Sequence, residues 1–212
     1  MGCMAERPRG TFDVEVILDY TSPSGPNATH MRGTLLVNSL DNLRALGVYE
    51  RYLELLPRSH SDVIPYTIAA SWIPIELALV HYETCEGLGL DEVQLKQVGE
   101  MMAKRVADTF LNTVLRATRN AGVESIWLAL SHNHRLLERM YQGGGMTILR
   151  TGPKDLIMEN TGLPIVTSRY WRAAYVHYMN AICSMFTKVT YVKLARPRVP
   201  HPHSVAIAGS WV

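Results

Sequence analysis

A histidine and a cysteine lie close together in the segment HYETCEGLGL, which covers residues 81–90. His81 and Cys85 are four residues apart, so on a helix they share one face. Imidazole and thiolate are ligands that a soft metal ion prefers, but a usable site needs three or four of them. Glu83 and Glu86 point elsewhere at helical spacing. The segment therefore favours a satisfied core histidine near a buried cysteine over a metal site.

Two other histidine pairs, His132 with His134 and His201 with His203, have a spacing of two residues. This spacing suits shared metal binding on a strand better than on a helix. We predict that Ser131 caps a helix with the first pair in its first turn, and that the second pair lies in a solvated loop.

Motifs of catalytic sites are missing from the sequence. It contains no GxSxG elbow, no Walker loop, no GxGxxG after a strand and no HExxH. The glycines at 143–145 lack the Lys-Ser/Thr pair of a phosphate loop, so we interpret them as the end of a helix followed by a sharp reversal. An enzyme is therefore disfavoured.

Aromatic residues are concentrated in the segment 168–186, which we predict to be a helix that begins at Ser168. Apolar residues recur there at three- and four-residue steps and form one stripe. The stripe consists of Trp171, Tyr175, Tyr178, Met179, Ile182 and Phe186. Buried Tyr and Trp side chains need polar partners and often rim ligand pockets. Core packing is one interpretation of the stripe, and a cavity wall with Tyr170 and His177 near its edge is the other.

Composition sets broader limits on the function. The chain has 212 residues, of which 47% are hydrophobic, which is enough for one domain with a sizeable core. The net charge of +2 is scattered, and the short basic stretch 196–203 is typical of a loop, so we expect no nucleic-acid partner. No apolar run approaches the roughly 20 residues of a membrane span. Three widely spaced cysteines suggest the reducing cytoplasm, and Glu6 replaces the Ser or Thr of a myristoylation signal.

Periodicity predicts the elements that position these residues. We predict helices over 40–56 with Ser39 as its cap, over a short stretch before Pro74, from Pro74 to Glu86, and over about 92–120. Gly87 is expected to end the third of these, and Asp91 with Gln94 to form a capping box. One or two further helices precede the glycines at 143–145.

Alternation of apolar and polar residues predicts strands. One covers 11–20, two more flank the turn TGPK within 146–160, and a last pair flanks the proline-rich loop 196–203. The order is helices, β-hairpin, helix, β-hairpin. We therefore predict an α/β (α+β) fold in which a helical N-terminal part packs on a small antiparallel sheet. Residues 1–30 are expected to be a strand or flexible arm, and residues 31–212 a single domain.

This layout resembles the fold shared by haem nitric oxide/oxygen-binding domains, vinyl-four-reductase domains and TRAPP vesicle-tethering subunits. Within that class, the chain is similar to a paralogue family of unassigned function that is abundant in myxobacteria. The resemblance covers roughly residues 32–212 and is carried by RGTLLVNSLDNLRALG, RYLELLP, ASWIPIELALVHYETCEGLGL, GPKDLIMENTGLPI and AIAGSWV.

The resemblance implies different ligands for each group. The haem domains hold iron through a helical histidine and clamp the haem propionates with Tyr-x-Ser-x-Arg, whereas YTSPS here ends in Ser24. The vinyl-reductase domains bind small hydrophobic molecules, sometimes with clustered cysteines. The tethering subunits dimerise through helices and hold an acyl chain. A channel of that kind would be lined by Met101, Met102, Trp127, Met140, Tyr175 and Met179.

Four functions follow as hypotheses. The first is a non-catalytic sensory or adaptor domain that holds a small hydrophobic molecule and signals as a homodimer or through a partner protein. Its expected ligand-binding residues are His81, Cys85, Met102, Trp127, Tyr175, His177 and Tyr178. The second is a haem-based gas or redox sensor with His81 or His177 as axial ligand, so that haem is the one candidate cofactor. The third is an enzyme with Tyr175, His177 or His81 as acid/base groups, and the fourth is an interaction scaffold with a filled core.

Overall fold

The computed structural model describes residues 12–106, 126–198 and 200–212. The α-helices are α1 (Gly33–Ala45), α2 (Tyr49–Leu55), α3 (Ile75–Gly87), α4 (Glu92–Val106), α5 (Ile126–Ser131), α6 (His134–Met140) and α7 (Arg169–Ser184). The strands are β1 (Glu15–Thr21), β2 (His30–Arg32), β3 (Trp72–Pro74), β4 (Tyr141–Gln142), β5 (Gly145–Gly152), β6 (Asp155–Thr161), β7 (Thr190–Ala195) and β8 (Val205–Trp211). Short 3₁₀ turns cover Arg58–His60 and Pro164–Thr167.

The larger sheet has five antiparallel strands in the order β1-β5-β6-β8-β7. Its register places Ile148 opposite Met158 and Met158 opposite Ile207, and all three side chains are buried. On β6, Leu156 and Met158 are buried whereas Asp155 is exposed and Ile157 only partly buried, because one sheet face packs against the helices. The two predicted hairpins and the helix between them, α7, are confirmed, and so is the mixed fold class.

The predicted N-terminal strand is an edge strand of this sheet. Residues 15–21 pair with β5 along nearly their whole length, with one register shift between Val16 and Leu18. Residues 15–21 are therefore a strand of the larger sheet, and the assignment of residues 1–30 as a whole to a strand or flexible arm stays a prediction. The domain boundary at residue 31 stays a prediction.

A second, smaller sheet has the order β3-β2-β4. Fully buried Met31 lies at its centre, opposite Ile73 on one side and Tyr141 on the other. Helix α1 begins directly after β2, and α6 ends directly before β4. This small sheet therefore joins the ends of two helices that are far apart in the sequence.

The helix predicted over 40–56 is wrong in its bounds. Two helices, α1 and α2, occupy this region, and Gly47 between them adopts a φ of +70°, which glycine tolerates better than other residues. Ser39 lies in the middle of α1 and is buried, so it does not cap a helix. Helix α1 begins earlier because Gly33 N–H donates to the Ser71 carbonyl oxygen at 2.8 Å.

The short helix predicted before Pro74 is also wrong. The chain there forms turns and then the three-residue strand β3. The carbonyl oxygens of the turn before β3 accept hydrogen bonds from side chains at the start of α1. Ala70 accepts from the Arg32 side chain, and Ala69 accepts from the Thr34 hydroxyl. Burial of Ile73 against Met31 fixes the strand in this position.

The corner between α3 and α4 agrees with prediction in one part and differs in another. The Asp91–Gln94 capping box is confirmed, since each residue's backbone N–H donates to the other's side-chain oxygen, at 3.1 and 2.8 Å. Gly87 is still helical, and Gly89 takes the left-handed φ of +61° that ends the turn. Helix α4 is observed to Val106, and the predicted remainder to residue 120 lies outside the described residues.

Two predictions near residues 126–145 have separate outcomes. Ser131 ends α5 rather than capping α6, and its hydroxyl donates back to the Leu128 carbonyl oxygen at 2.9 Å. Gly143 and Gly144 have φ values of +104° and +86°, which confirms the predicted sharp reversal between α6 and β5. In the described part of the chain no helix is long and apolar enough to cross a membrane.

Candidate functional site

A cavity of about 760 Å³ lies between the helices and the C-terminal part of the fold. Helices α1, α4, α6 and α7 supply most of its wall, and single residues of β2, α3, strands β4 to β6 and two connecting segments supply the rest. The largest share of the wall is apolar or aromatic: Leu35, Tyr82, Val98, Met102, Val106, Leu136, Leu137, Met140, Tyr141, Met146, Leu163, Tyr170, Trp171, Ala174, Tyr175, Tyr178 and Met179. The polar wall residues are Arg32, Thr34, Asn38, Ser39, Arg105, Asn133, Arg139 and Asn160. Its size matches pockets that bind drug-sized molecules, roughly 300–1,000 Å³.

The aromatic stripe of α7 forms one side of this cavity. Trp171 and Tyr175 stack with ring centroids 4.7 Å apart, and Tyr178 follows at 6.0 Å from Tyr175. Asn160 Nδ2 donates to the Tyr175 hydroxyl at 2.7 Å, which in turn donates to the Met158 sulfur. Burial raises the pKa of both tyrosine hydroxyls, so they are neutral phenols at physiological pH. The stripe is thus a cavity wall as well as core packing.

Helix α7 is held against α4 by very close backbone packing at Gly99. A Cβ atom at this position would lie 2.5 Å from the His177 Cβ and 2.6 Å from the Tyr178 backbone nitrogen. Only glycine allows this approach without displacement of one helix. The spacing between α4 and α7, and hence the width of the cavity there, depends on this residue.

His81 lies behind the cavity wall in a network of buried hydrogen bonds. Its Nδ1 is 2.8 Å from the Tyr52 hydroxyl, and its Nε2 is 2.8 Å from the Ser39 hydroxyl, which does reach the wall. Cys85 Sγ lies 3.6 Å from the same Nε2. The ring is fully buried, which lowers the pKa of His81 to about 3 and keeps it neutral.

The protons of this network can be assigned from its partners. Among the described residues, the Tyr52 hydroxyl has His81 Nδ1 as its one hydrogen-bond partner, so it donates its proton there. Nε2 then carries the ring proton and donates to Ser39. His81 therefore does not withdraw a proton from Ser39. Burial also raises the pKa of the Cys85 thiol and keeps it protonated.

The structure separates the residues predicted to bind a ligand. Met102, Tyr175 and Tyr178 lie together on the cavity wall. His81 and Cys85 lie behind the wall, as described above.

Two more of the predicted residues lie away from the cavity. His177 Nε2 lies 2.9 Å from Glu92 Oε1. Trp127 packs on Trp211 with ring centroids 5.0 Å apart. Ligand binding by any of the seven predicted residues stays a prediction.

Sequence reasoning missed the three arginines of the wall, Arg32, Arg105 and Arg139. They come from β2, α4 and α6, so only the tertiary fold brings them to one cavity. A signal for one of them exists, because Arg105 follows Met102 by three residues and shares its helical face. Arg105 Nη1 donates to the Asn38 carbonyl oxygen at 2.6 Å and to Asn42 Oδ1 at 2.8 Å.

Comparison with known proteins shows the fold. No family model and no curated protein matches the sequence. A mutant H-NOX protein from K. algicida, in the Fe(II) unliganded state, is similar with a TM-score of 0.63 and 11% identity over 86% of this chain and 97% of that one. An oxygen-binding H-NOX domain related to soluble guanylate cyclases, in its oxygen complex, gives a TM-score of 0.54 and 13% identity over 85% and 95% of the two chains.

A third similar structure, described as modulating haem redox potential through porphyrin distortion, has a TM-score of 0.55 and 13% identity, over 85% of this chain and all of that one. The chain therefore has the H-NOX-like fold. The finer resemblance to the myxobacterial paralogue family stays a prediction.

The donor atoms of the cavity do not fit a haem held by histidine. All eight histidines of the chain lie in the described ranges, and none of them lines the cavity. Both ring nitrogens of His81 already have hydrogen-bond partners. The wall offers methionine thioethers and neutral phenols instead, whereas haem iron in proteins is bound by His, thiolate, Met paired with His, or tyrosinate. The described residues also contain no cluster of three or more His, Cys, Asp or Glu that would hold a metal ion.

Proposed function

We propose that this protein is a non-catalytic ligand-binding domain of the H-NOX-like fold that acts as a sensor or adaptor. One observation carries the proposal, namely the cavity of about 760 Å³ with its mainly apolar and aromatic wall. Water is held poorly by such a surface, and burial of an apolar molecule there is favourable in proportion to the area covered. The ligand is therefore a small, mainly apolar molecule held between α1, α4, α6 and α7.

The haem-based sensor is the second candidate. The similar structures include an Fe(II) H-NOX protein, an oxygen-binding H-NOX domain and a protein with a distorted haem, so the comparisons support this candidate more directly than the first. At 11–13% identity, that support comes through the shared fold alone. The composition of the wall weighs against it, because a histidine ligand to the iron is lacking there.

The other two hypotheses receive less support. An enzyme would need its acid/base groups at one point, but Tyr175 lines the cavity whereas His81 lies behind it and His177 faces Glu92. A scaffold with a filled core does not agree with a cavity of this volume. Signalling through a partner protein or a homodimer remains a proposal drawn from the resemblance, and sedimentation velocity of the purified protein measures whether it dimerises.

A cavity-filling variant tests the ligand-binding proposal. Ala174 is buried and faces the cavity, whereas its neighbour Ala173 on α7 does not line it. Native mass spectrometry of the wild type, purified from its own cell, is expected to show a retained small molecule. The Ala174→Phe variant is expected to lose that mass while Ala173→Phe keeps it.

Circular dichroism of both variants would verify that they are folded. A wild type without any retained mass, which also takes up no compound from an apolar extract of that cell, would contradict the proposal. Equal retention by Ala174→Phe and Ala173→Phe would place the ligand outside the cavity and contradict it as well.

A further inference from the structure

We propose, on the basis of the ligand-binding function above, that the ligand is an anionic amphiphile: a carboxylate on an apolar body, bound without an axial histidine. The proposal names the head group that the cavity recognises. It rests on the charges of the cavity wall and on one buried hydroxyl group.

The charged residues in the described part of the wall are all of one sign. Arg32, Arg105 and Arg139 line the cavity, and no Asp or Glu is found among its described wall residues. Guanidinium groups offer several N–H donors in a planar fork that matches a carboxylate. In a cavity with low-dielectric walls, such a set of charges attracts an anion and repels a cation.

The arginines lie at the more open part of the cavity. Arg139 is exposed, and Arg32 and Arg105 are partly buried. The Arg32 guanidinium stacks on the Trp72 ring at 4.2 Å and donates to the Ala70 carbonyl oxygen, which fixes its position. By contrast, the aromatic stripe of α7 lies in the buried part. This arrangement suits an amphiphile whose body enters first and whose charged end stays near the arginines.

Tyr170 supplies a second, independent observation. Its side chain is only 5% exposed and lines the cavity, yet its hydroxyl has no hydrogen-bond partner among the residues that the structure describes. Ser39 and Cys85 are its polar neighbours, but no hydrogen bond of good geometry joins either of them to it. A buried hydroxyl without a partner is costly, and an acceptor atom on a ligand removes that cost. The unsatisfied group and the arginines are all hydrogen-bond donors, so the wall favours a ligand rich in acceptors.

Three probes with one tail and different heads test the proposal: dodecanoate, dodecanol and dodecyltrimethylammonium, each titrated calorimetrically below its micelle concentration. The wild type is expected to bind dodecanoate at least tenfold more tightly than dodecanol, and the ammonium probe most weakly. Arg105→Gln and Arg139→Gln are each expected to weaken dodecanoate binding about tenfold and to leave dodecanol unchanged, since a hydrogen bond to a charged group is typically worth that much. Tyr170→Phe is expected to weaken dodecanoate binding by a smaller factor.

Arg135→Gln is the matched control, because Arg135 is an exposed arginine on α6 that does not line the cavity. Equal affinities for the three heads in the wild type would overturn the proposal and leave the ligand-binding function intact. A preference for dodecanoate that survives both Arg105→Gln and Arg139→Gln would overturn it too. Absence of binding by all three probes would overturn the proposal, and the retained-mass experiment above then decides on the ligand-binding function separately.

Discussion

The Tyr52 hydroxyl donates to Nδ1 of His81 across 2.8 Å in the centre of the helical part, where both residues are completely buried. This bond joins α2 to α3, and the bond from Nε2 of the same ring to Ser39 joins α3 to α1. One neutral imidazole thus links three helices, of which α1 forms part of the cavity wall. Its burial makes the helical part sensitive to pH.

The free energy of unfolding is expected to decrease as the pH is lowered, because of His81. Its pKa is about 3 in the folded protein and about 6.5 when exposed in the unfolded chain, so between these values the unfolded state binds more protons. The contribution is fully present above pH 6.5 and is lost as the pH falls towards 3. By pH 5 the free energy of unfolding should have decreased by about 2 kcal/mol relative to pH 7.5 from this group. Urea denaturation at the two pH values measures the difference.

A histidine variant identifies the group responsible. His81→Gln keeps an amide that both donates and accepts but does not titrate, so it should remove most of the difference between pH 5 and pH 7.5. His60→Gln is the control, since His60 lies in an exposed turn on the Arg58–His60 segment. An unchanged pH difference in His81→Gln would show that another group is responsible.

Tyr52→Phe should lower the free energy of unfolding by about 1–3 kcal/mol, because the buried His81 Nδ1 would lose its donor. Thermal and urea unfolding at pH 7.5 measure the loss. Tyr49→Phe is a suitable control, since Tyr49 stacks on Tyr52 at 6.2 Å and is less buried. The control should change stability by no more than about 0.5 kcal/mol. Equal effects of the two substitutions would contradict the assigned hydrogen bond.

Haem titration should give no stoichiometric, histidine-ligated absorption spectrum. All eight histidines lie away from the cavity, and a thioether or neutral phenol alone is a weak ligand for the iron. Absorption at the Soret band after addition of haemin, followed by reduction and carbon monoxide, is the measurement. A saturable one-to-one spectrum that His81→Gln or His177→Gln abolishes would refute this prediction and favour the haem sensor.

Gly99→Ala should destabilise the fold by about 1–3 kcal/mol, since the added methyl group would meet backbone and Cβ atoms of α7 that cannot move separately. The intrinsic preference of helices for Ala over Gly, about 1 kcal/mol, acts in the opposite direction. Gly87→Ala in α3 is the matched control, because its Cβ would meet only Leu55 Cδ1 at 3.5 Å. The control should be neutral or slightly stabilising. Equal stability of the two variants would contradict the close contact of α4 and α7.

The hairpins, helix α7 and the capping box could be predicted because their signals are local. Strand alternation, a Ser168 side chain that accepts from the Trp171 backbone N–H at 3.3 Å, and the Asp91–Gln94 pair depend on neighbours within a few residues. The stripe that begins at Trp171 could be recognised as one face for the same reason. Its role as a cavity wall depends on what α1 and α4 place opposite it.

The rest could not be predicted because it depends on contacts between distant segments. Ser39 was expected to be a cap, but the Gly33 N–H donates to the Ser71 carbonyl oxygen just before β3, and α1 starts there, seven residues before the predicted first residue 40. The three wall arginines belong to three different elements. Only tertiary structure brings their charges to one cavity, and periodicity within a single segment relates no more than Arg105 to Met102.

The small sheet has a mechanical consequence for the cavity. Helix α1 leaves it at β2, α6 enters it at β4, and the Met31–Tyr141 pair joins these two strands. The first turn of α1 and the last turn of α6 are thus joined through paired strands, so the two helices would separate mainly at their other ends. A longer occupant would open the angle between them, and because Gly143 and Gly144 alone separate β4 from β5, that rotation would reach the edge of the large sheet. The length of a bound molecule would then set the angle between α1 and α6 and, through β4, their orientation relative to the large sheet.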